Sequence, residues 1–426
     1  MTISAADLPR YHRRNWLAFF ADYVLFGLGL TFASTTTTLP AFVAELTDNK
    51  VLIGAVSAVW TGSWLLPQIF AANYVSNKPR KLPLALKGSW IGRPALLLFV
   101  FYLALGGVQF RGLTIFLFLA AIAFFIGIDA LVALAWFDLL GKSMAPAERS
   151  RIFGFGQVAT GVLAIGAGIL IAYLLGASGP AFPFNYAIIF ALAGACFMGS
   201  LWALSYLVEP RETVPDERVS LRHYLPQLVS ILRTDQNFAR LNLSHLLIGA
   251  ASLAMPFYAV YAIRVVGVSE ARIGLFAMAQ TIGSALAGLL LGPLAERRGS
   301  HRAIQTLGFV HTTAPMLALV LARLPTGALL DWLYPLIFVL LGMGEGAAVL
   351  GYYNYVLDIA PTGQRPDYIG LTNTLAGPLL VVPLLGGWIL ERSSYSTVFG
   401  LAAVVVFCGA LISLTLKSPR PEHKSI

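Results

Sequence analysis

Gly292-Pro293-Leu294-Ala295-Glu296-Arg297-Arg298-Gly299-Ser300-His301-Arg302 is a tight basic hinge between two apolar runs, each long enough to cross a bilayer. A helix ending near Leu294 leaves Glu296 at the unfavourable end of that helix's dipole, so the acid needs a partner from an arginine or a neighbouring helix N-terminus. Gly299 can take the left-handed conformation that reverses the chain. Arg297, Arg298, His301 and Arg302 then face headgroup phosphates.

The composition around this hinge excludes a soluble globule. Hydrophobic residues make up 58% and charged residues 12%, with a mean hydropathy of +0.76. A soluble domain carries roughly 25% charged residues. The net charge of +9 would suggest nucleic acid in a soluble protein, but here the basic residues are dispersed over short loops, and membrane topology accounts for them better. Nucleic acid is therefore not expected as a partner. Cys196 and Cys408 both lie in apolar runs, so no disulfide framework or metal site is legible, and no cofactor is expected.

Runs of the length that a ~30 Å hydrocarbon core requires fall at 16–42, 51–74, 84–105, 113–140, 152–175 and 184–208. After the polar stretch 209–237 come 238–266, 273–294, 303–324, 332–357, 368–390 and 398–416. These are helices 1 to 12. The first run is too long for a signal-peptide core and is retained as helix 1. The expected organisation is a six-helix bundle over 1–208, a cytoplasmic linker over 209–237 and a second six-helix bundle over 238–426. With both termini cytoplasmic, twenty-two of the 29 Lys and Arg lie on that side and six on the other, leaving Arg93 inside helix 3. That asymmetry predicts both ends inside a bacterial-type plasma (inner) membrane.

The halves repeat. Ile53-Gly54 matches Ile273-Gly274 and Pro79 matches Gly299, while Pro146, Arg149 and Gly154 align with Pro361, Arg365 and Gly370 at a nearly constant displacement. A duplicated six-helix unit places a substrate site near the bilayer midplane.

The hinge, with Gly292, Leu294 two on, Glu296 two further, two arginines, then Gly299 and a closing Arg302, resembles the loop between helices 8 and 9 of the major facilitator superfamily. That resemblance implies an all-α polytopic membrane protein with twelve transmembrane helices in two pseudo-symmetric bundles. It also makes Gly292, Glu296, Arg297, Gly299 and Arg302 a gating hinge. The first-half counterpart, 72–81, departs from the pattern: Ser76 stands where the acid belongs and Pro79 replaces the turn glycine. Residues 377–387 look like the Gly/Pro antiporter motif of the family's exporters, which points to the drug/proton antiporter type. In the family, however, that motif belongs to helix 5.

Setting aside loop acids and Asp138 at the very end of the fourth run leaves three carboxylates within spans: Asp22 in helix 1, Asp129 in helix 4 and Glu345 in helix 10. A charge at the bilayer centre costs at least ~2.5 kcal/mol, so such groups face protein or a wet path. By the resemblance, helices 1, 4, 7 and 10 line the cavity. All three acids fall on them, and helix 7 carries His245. By depth, Glu345 is the expected principal proton or cation site, followed by Asp129, with Asp22 nearer a helix end and open to pairing with a basic residue. Arg93 reads as snorkelling to the cytoplasmic surface, and His311 as packing.

Trp64 and Gln68 share a face of helix 2, Trp136 lies seven residues from Asp129, and Tyr352 lies seven from Glu345. With His245 and Asn373 they form the expected substrate cavity, whose aromatic walls suit an amphipathic organic solute through stacking and cation–π contact. The leading function is thus a proton-coupled transporter, export favoured, with a small solute, protons and the bilayer as partners and a monomeric working unit. The rival is import or facilitated movement of a sugar or nucleoside, with Gln68, Gln157, Gln280 and Asn373 as hydrogen-bonding groups. A receptor without transport is a further class. An enzyme is not expected: Gly176-Ala177-Ser178-Gly179 superficially resembles a rhomboid nucleophile segment but precedes Pro180 in a loop, and no H-E-x-x-H occurs.

Overall fold

Prolines, glycines and runs of hydroxyl side chains decide where the apolar spans stay continuous. A computed structural model of the chain describes residues 2–3, 8–76, 78, 80–210, 231–324, 327–348, 351–352, 354–361 and 365–418. Pro79, the surroundings of Gln68, Gly292, Glu296, Arg365 and Gly370, and the linker over 211–230 lie outside the described residues. Eleven described helical segments are long and apolar enough to cross a membrane. The twelfth span, helix 11, is in three pieces: Arg365–Leu375, a 3-10 turn Gly377–Leu380, and Val382–Arg392. Pro378 and Pro383 lack the N–H a helix interior needs, so hydropathy alone makes this span look more regular than it is.

Helix 1 is also interrupted. It runs Leu8–Phe32 and resumes at Thr38–Leu46. Between them, Ser34 to Thr38 is an unbroken run of hydroxyl residues, which compete with the helix for backbone partners. Thr38 Oγ1 donates to Phe32 O at 2.6 Å and accepts from Ser34 N at 3.0 Å. Ser57 Oγ of helix 2 donates to Thr35 O. The break therefore satisfies the backbone groups of Phe32, Ser34 and Thr35 with hydroxyl side chains within the membrane. Helix 7 breaks at the corresponding place in the second half, as Gln236–Gly249, a 3-10 turn Ala250–Leu253, Phe257–Tyr261 and a π turn Ala262–Val266. Helix 3 is two segments, Leu82–Gly92 and Pro94–Ala104, hinged at Arg93.

The chain divides into two units. One comprises Met1–Asp48, Ala55–Asp216 and Ser269–Met278, and the other Asn49–Gly54, Glu217–Val268 and Ala279–Ile426. In the first, helix 1 packs on helix 5 (Pro146–Leu174) and helix 6 (Phe184–Ser205), and helix 3 on helix 4 (Arg111–Ser143), around a core that includes Phe19, Ala85, Leu139 and Leu204. In the second, helix 9 (Ser300–Leu321) packs on helix 12 (Tyr395–Ser413) and on helix 10 (Pro335–Ala348). Large apolar side chains such as Leu98, Phe116, Ile169 and Val404 are exposed, as the lipid-facing surface of a membrane bundle requires.

One end of the first unit is tied together by Glu209, which follows helix 6 and is fully buried. Its carboxylate accepts from Lys81 N at 2.6 Å and Leu82 N at 3.0 Å, capping helix 3, and pairs with Lys142 Nζ of helix 4 at 2.9 Å. The positive end of helix 3 and the ammonium both favour an anion there. Thr2–Ile3 adds a short parallel pairing with Glu209–Pro210. Nearby, Glu148 pairs with His12 Nε2 at 2.6 Å, and this bond holds its carboxyl below the usual carboxylate range.

The basic hinge is tighter than expected. Helix 8 continues through Pro293 to Arg298, and helix 9 begins at Ser300. The turn is thus one residue, Gly299, at φ 92° and ψ 151°, a conformation closed to residues with a Cβ. Arg297 and Arg298 stabilise the negative end of helix 8 from its last turn.

Helices 8 and 10 cross at backbone contact. A Cβ on Gly342 would lie 1.8 Å from Gln280 O, and one on Gly283 would lie 2.1 Å from Val339 O. Small residues permit this approach between membrane helices. Gly342→Ala should lower unfolding stability in detergent by about 1–3 kcal/mol, the range for overpacking, whereas Gly288→Ala, with open space around it, should leave the melting temperature unchanged.

Candidate functional site

Arg93 occupies the centre of helix 3, eleven residues from each end of the span Leu82–Ala104, roughly 16 Å from either surface. Pro94 follows it and hinges the helix there. The side chain does not snorkel, which corrects the sequence-based expectation: at that depth a guanidinium cannot reach headgroups, so it must be satisfied inside the protein. It is 3% exposed, and Nη1 donates to Phe197 O and to Ser200 Oγ, both at 3.0 Å, on helix 6. The guanidinium carbon sits 5.4 Å from the centre of the Phe26 ring.

Two of the predicted carboxylates flank it. Nη1 is 4.0 Å from Asp22 Oδ1 and Nη2 is 3.7 Å from Asp129 Oδ1. Both acids are buried. Their hydrogen bonding differs. Asp22 Oδ1 accepts from Ser200 Oγ at 2.5 Å and its Oδ2 from Trp136 Nε1 at 2.7 Å, so both oxygens are engaged. Asp129 Oδ1 is buried and accepts no hydrogen bond among the described residues. Asp22 does pair with a basic residue, but with Arg93 deep in the span rather than one at a helix mouth.

The cluster forms the wall of a cavity of about 170 Å³ in the first unit. Helix 4 contributes Asp129, Val132, Ala133, Trp136 and Phe137, the i, i+3, i+4, i+7, i+8 pattern of a single helix face. Tyr23, Phe26, Trp64 and Phe153 complete an aromatic lining. Tyr23 OH donates to Gln157 Oε1 at 2.7 Å, so that glutamine is already engaged. Asp22, Asp129, Trp64 and Trp136 are thereby brought together, while the side chain of Gln68 lies outside those described. Sequence reasoning missed Arg93, Tyr23, Phe26 and Ser200. The readable signal was charge balance: two mid-span acids in one half and a mid-span arginine between them in the chain.

In the second unit the predicted residues fall into pairs. Gln280 Nε2 of helix 8 donates to both oxygens of Glu345, at 3.0 and 2.9 Å. Phe338, Leu341 and Glu345 share one face of helix 10; the first two are fully buried, yet Glu345 is exposed, on the side away from the outward-facing Leu336. His245 packs against Tyr352 with ring centres 4.2 Å apart and the planes inclined at 35°. Asn373 lies on the Arg365–Leu375 segment of helix 11. His311 is buried against Gly344, with neither ring nitrogen hydrogen-bonded among the described residues. Of the hinge residues, Arg297, Arg298 and Arg302 are exposed.

Eleven described apolar spans, with a charged, aromatic-walled cavity among those of the first unit, are the features of a polytopic membrane protein. The sequence matches the family described as the Major Facilitator Superfamily over residues 24–379 and 246–426, and the protein belongs to that family. A protein of Deinococcus radiodurans named for sugar efflux is 28% identical over 193 residues, covering 42% of this chain and 46% of its own length. The match therefore spans less than half of that relative. Similar solved structures include a nucleoside transporter, at 13% identity and a TM-score of 0.65 over 95% of this chain and 99% of the other. A bacterial homologue of the iron transporter ferroportin, inward-facing, gives 15% identity and a TM-score of 0.66 over 95% and 98%. A bacterial homologue of the human lysosomal transporter Spinster gives 13% and 0.63 over 95% and 97%. At such identities the likeness is one of fold.

Removing the guanidinium leaves two buried carboxylates without a cation. Arg93→Gln should destabilise the protein by about 3–5 kcal/mol, as breaking buried ion pairs does. Adding Asp129→Asn to it should restore part of that loss in thermal unfolding, because one of the two stranded charges is removed.

Proposed function

We propose that the protein is a proton-coupled secondary transporter that exports a small amphipathic organic solute by alternating access. The observation that carries the reading is the pocket in which two carboxylates share one guanidinium. With both acids ionised the cluster holds one uncompensated negative charge. A proton on Asp129 cancels it and leaves Asp22 and Arg93 as a neutral pair. A cationic or strongly polarised solute against the aromatic wall cancels it equally well. Proton and solute then compete for one charge, which is the condition for exchange of one against the other. Asp129, whose buried Oδ1 accepts no hydrogen bond among the described residues, is the proton-exchanging group of the first unit. Asp22 is its fixed counterpart, positioning Arg93 and Trp136.

Glu345, exposed on an otherwise buried helix face and oriented by Gln280, is the corresponding group of the second unit. His245, Tyr352 and Asn373 belong to the solute path there, and the hinge around Gly299 couples helices 8 and 9 during the cycle. The protein works as a monomer in a bacterial-type inner membrane with both termini cytoplasmic. A second reading, export of a neutral sugar, is favoured by the relative named for sugar efflux. Trp64 and Trp136 beside two carboxylates also suit a sugar ring.

The test uses proteoliposomes with ethidium as an aromatic cation and lactose as a sugar. Flux of the transported probe should respond to an imposed pH gradient in the wild type, and Asp129→Asn should lose that response while keeping solute exchange. An undiminished response in Asp129→Asn would remove that residue from coupling. Glu345→Gln is examined in the same way, and the probe that moves separates the two readings.

A further inference from the structure

A second cavity, of about 550 Å³, lies in the second unit where helices 8, 9 and 12 meet beside the Gly299 turn. Its polar end holds Arg298, the last residue of helix 8, and Arg302, in the first turn of helix 9. Arg302 is held in place. Its Nη1 donates to Gln305 Oε1 at 3.0 Å, and Gln305, itself buried, donates from Nε2 to Ser413 O of helix 12 at 3.2 Å. A guanidinium fixed through a buried amide is a prepared anion contact rather than a free surface charge. The positive end of helix 9 adds to the same sign. No carboxylate lines the cavity among the described residues.

The other end of the cavity is apolar, with Phe309 and Leu414, both exposed. From there one face of helix 9 continues outward at alternating three- and four-residue steps. Arg302, Thr306, Phe309, Thr313, Met316 and Val320 lie along it, and of these only Thr306 is less than exposed. The stripe begins with a charge and ends in hydrocarbon side chains. That sequence of chemistries matches a lipid, with an anionic headgroup at its head and an acyl chain along its length, and it does not match a free phosphate.

We infer that this cavity is a specific site for one anionic phospholipid, its phosphodiester held by Arg298 and Arg302 and an acyl chain laid on Phe309 and Met316. This goes beyond the general attraction of a basic loop to a membrane surface, because it requires a single bound lipid at defined residues, and it does not depend on what the protein transports.

Native mass spectrometry of the detergent-purified protein titrated with dioleoyl phosphatidylglycerol tests it. The wild type should retain one lipid tightly. Arg298→Gln with Arg302→Gln should weaken that binding roughly thirtyfold, at ~1 kcal/mol per basic contact. Arg298→Gln alone, at an exposed side chain, should weaken it several-fold and serves if the double variant does not fold. Arg323→Gln makes the same charge change at the far end of helix 9 and should leave binding unchanged. Equal retention by the Arg298 and Arg302 variants, or an equal loss in Arg323→Gln, overturns the site. Displacement of the lipid by millimolar inorganic phosphate overturns its assignment to a phospholipid.

Discussion

A guanidinium at the centre of a hydrophobic span is tolerable only if the protein surrounds it, and much of the first unit is arranged to do so. Arg93 cannot reach either surface, so helix 6 supplies a carbonyl and a hydroxyl, helix 1 supplies Asp22 and the Phe26 face, and helix 4 supplies Asp129. Desolvation of an isolated charge exceeds what packing alone returns. Four helices are thus committed to fixed rotations about one side chain. The aromatic cavity lies directly beside that commitment, so its walls and the stability of the bundle depend on the same residues.

The two carboxylates are chemically unlike although the chain presents both as an acid in an apolar helix. Asp22 is saturated by Ser200, Trp136 and Arg93, whereas Asp129 retains an oxygen without a hydrogen bond among the described residues. A saturated anion is held by several neighbours at once, whereas Asp129 is held at that oxygen by the charge of Arg93 alone. Division of labour between paired acids through their surroundings is a general device for proton chemistry.

Interrupted helices are the second constraint. Backbone polar groups freed inside a membrane must be satisfied locally or by a neighbour. In helix 1 the hydroxyl run does this with its own oxygens and with Ser57, and helix 7 breaks at the matching place of the second repeat. At the helix ends, Glu209 closes three donors at once, and Gly299 alone turns helix 8 into helix 9. The first-half hinge carries Ser76 in place of its acid, and here the buried acid arrives from the end of helix 6 instead.

The sequence by itself determined the membrane class, the spans, the repeat and the family, because each rests on hydropathy, charge bias or a short motif that needs no knowledge of neighbours. It also determined that Asp129 and Trp136 share one face of helix 4, since helical periodicity fixes that much, whereas their grouping with Asp22 and Trp64 came from the structure. The tertiary structure alone decided what Arg93 does, how differently the two acids beside it are hydrogen-bonded among the described residues, and that Glu345 is exposed on a buried face with Gln280 beside it. Those facts depend on how each helix is rotated against the next, and side-chain periodicity fixes a face without naming what it meets. The breaks in helices 1, 7 and 11 lay between the two: their serines, threonines and prolines were legible, but hydropathy averaged over a span hides a local loss of backbone hydrogen bonds.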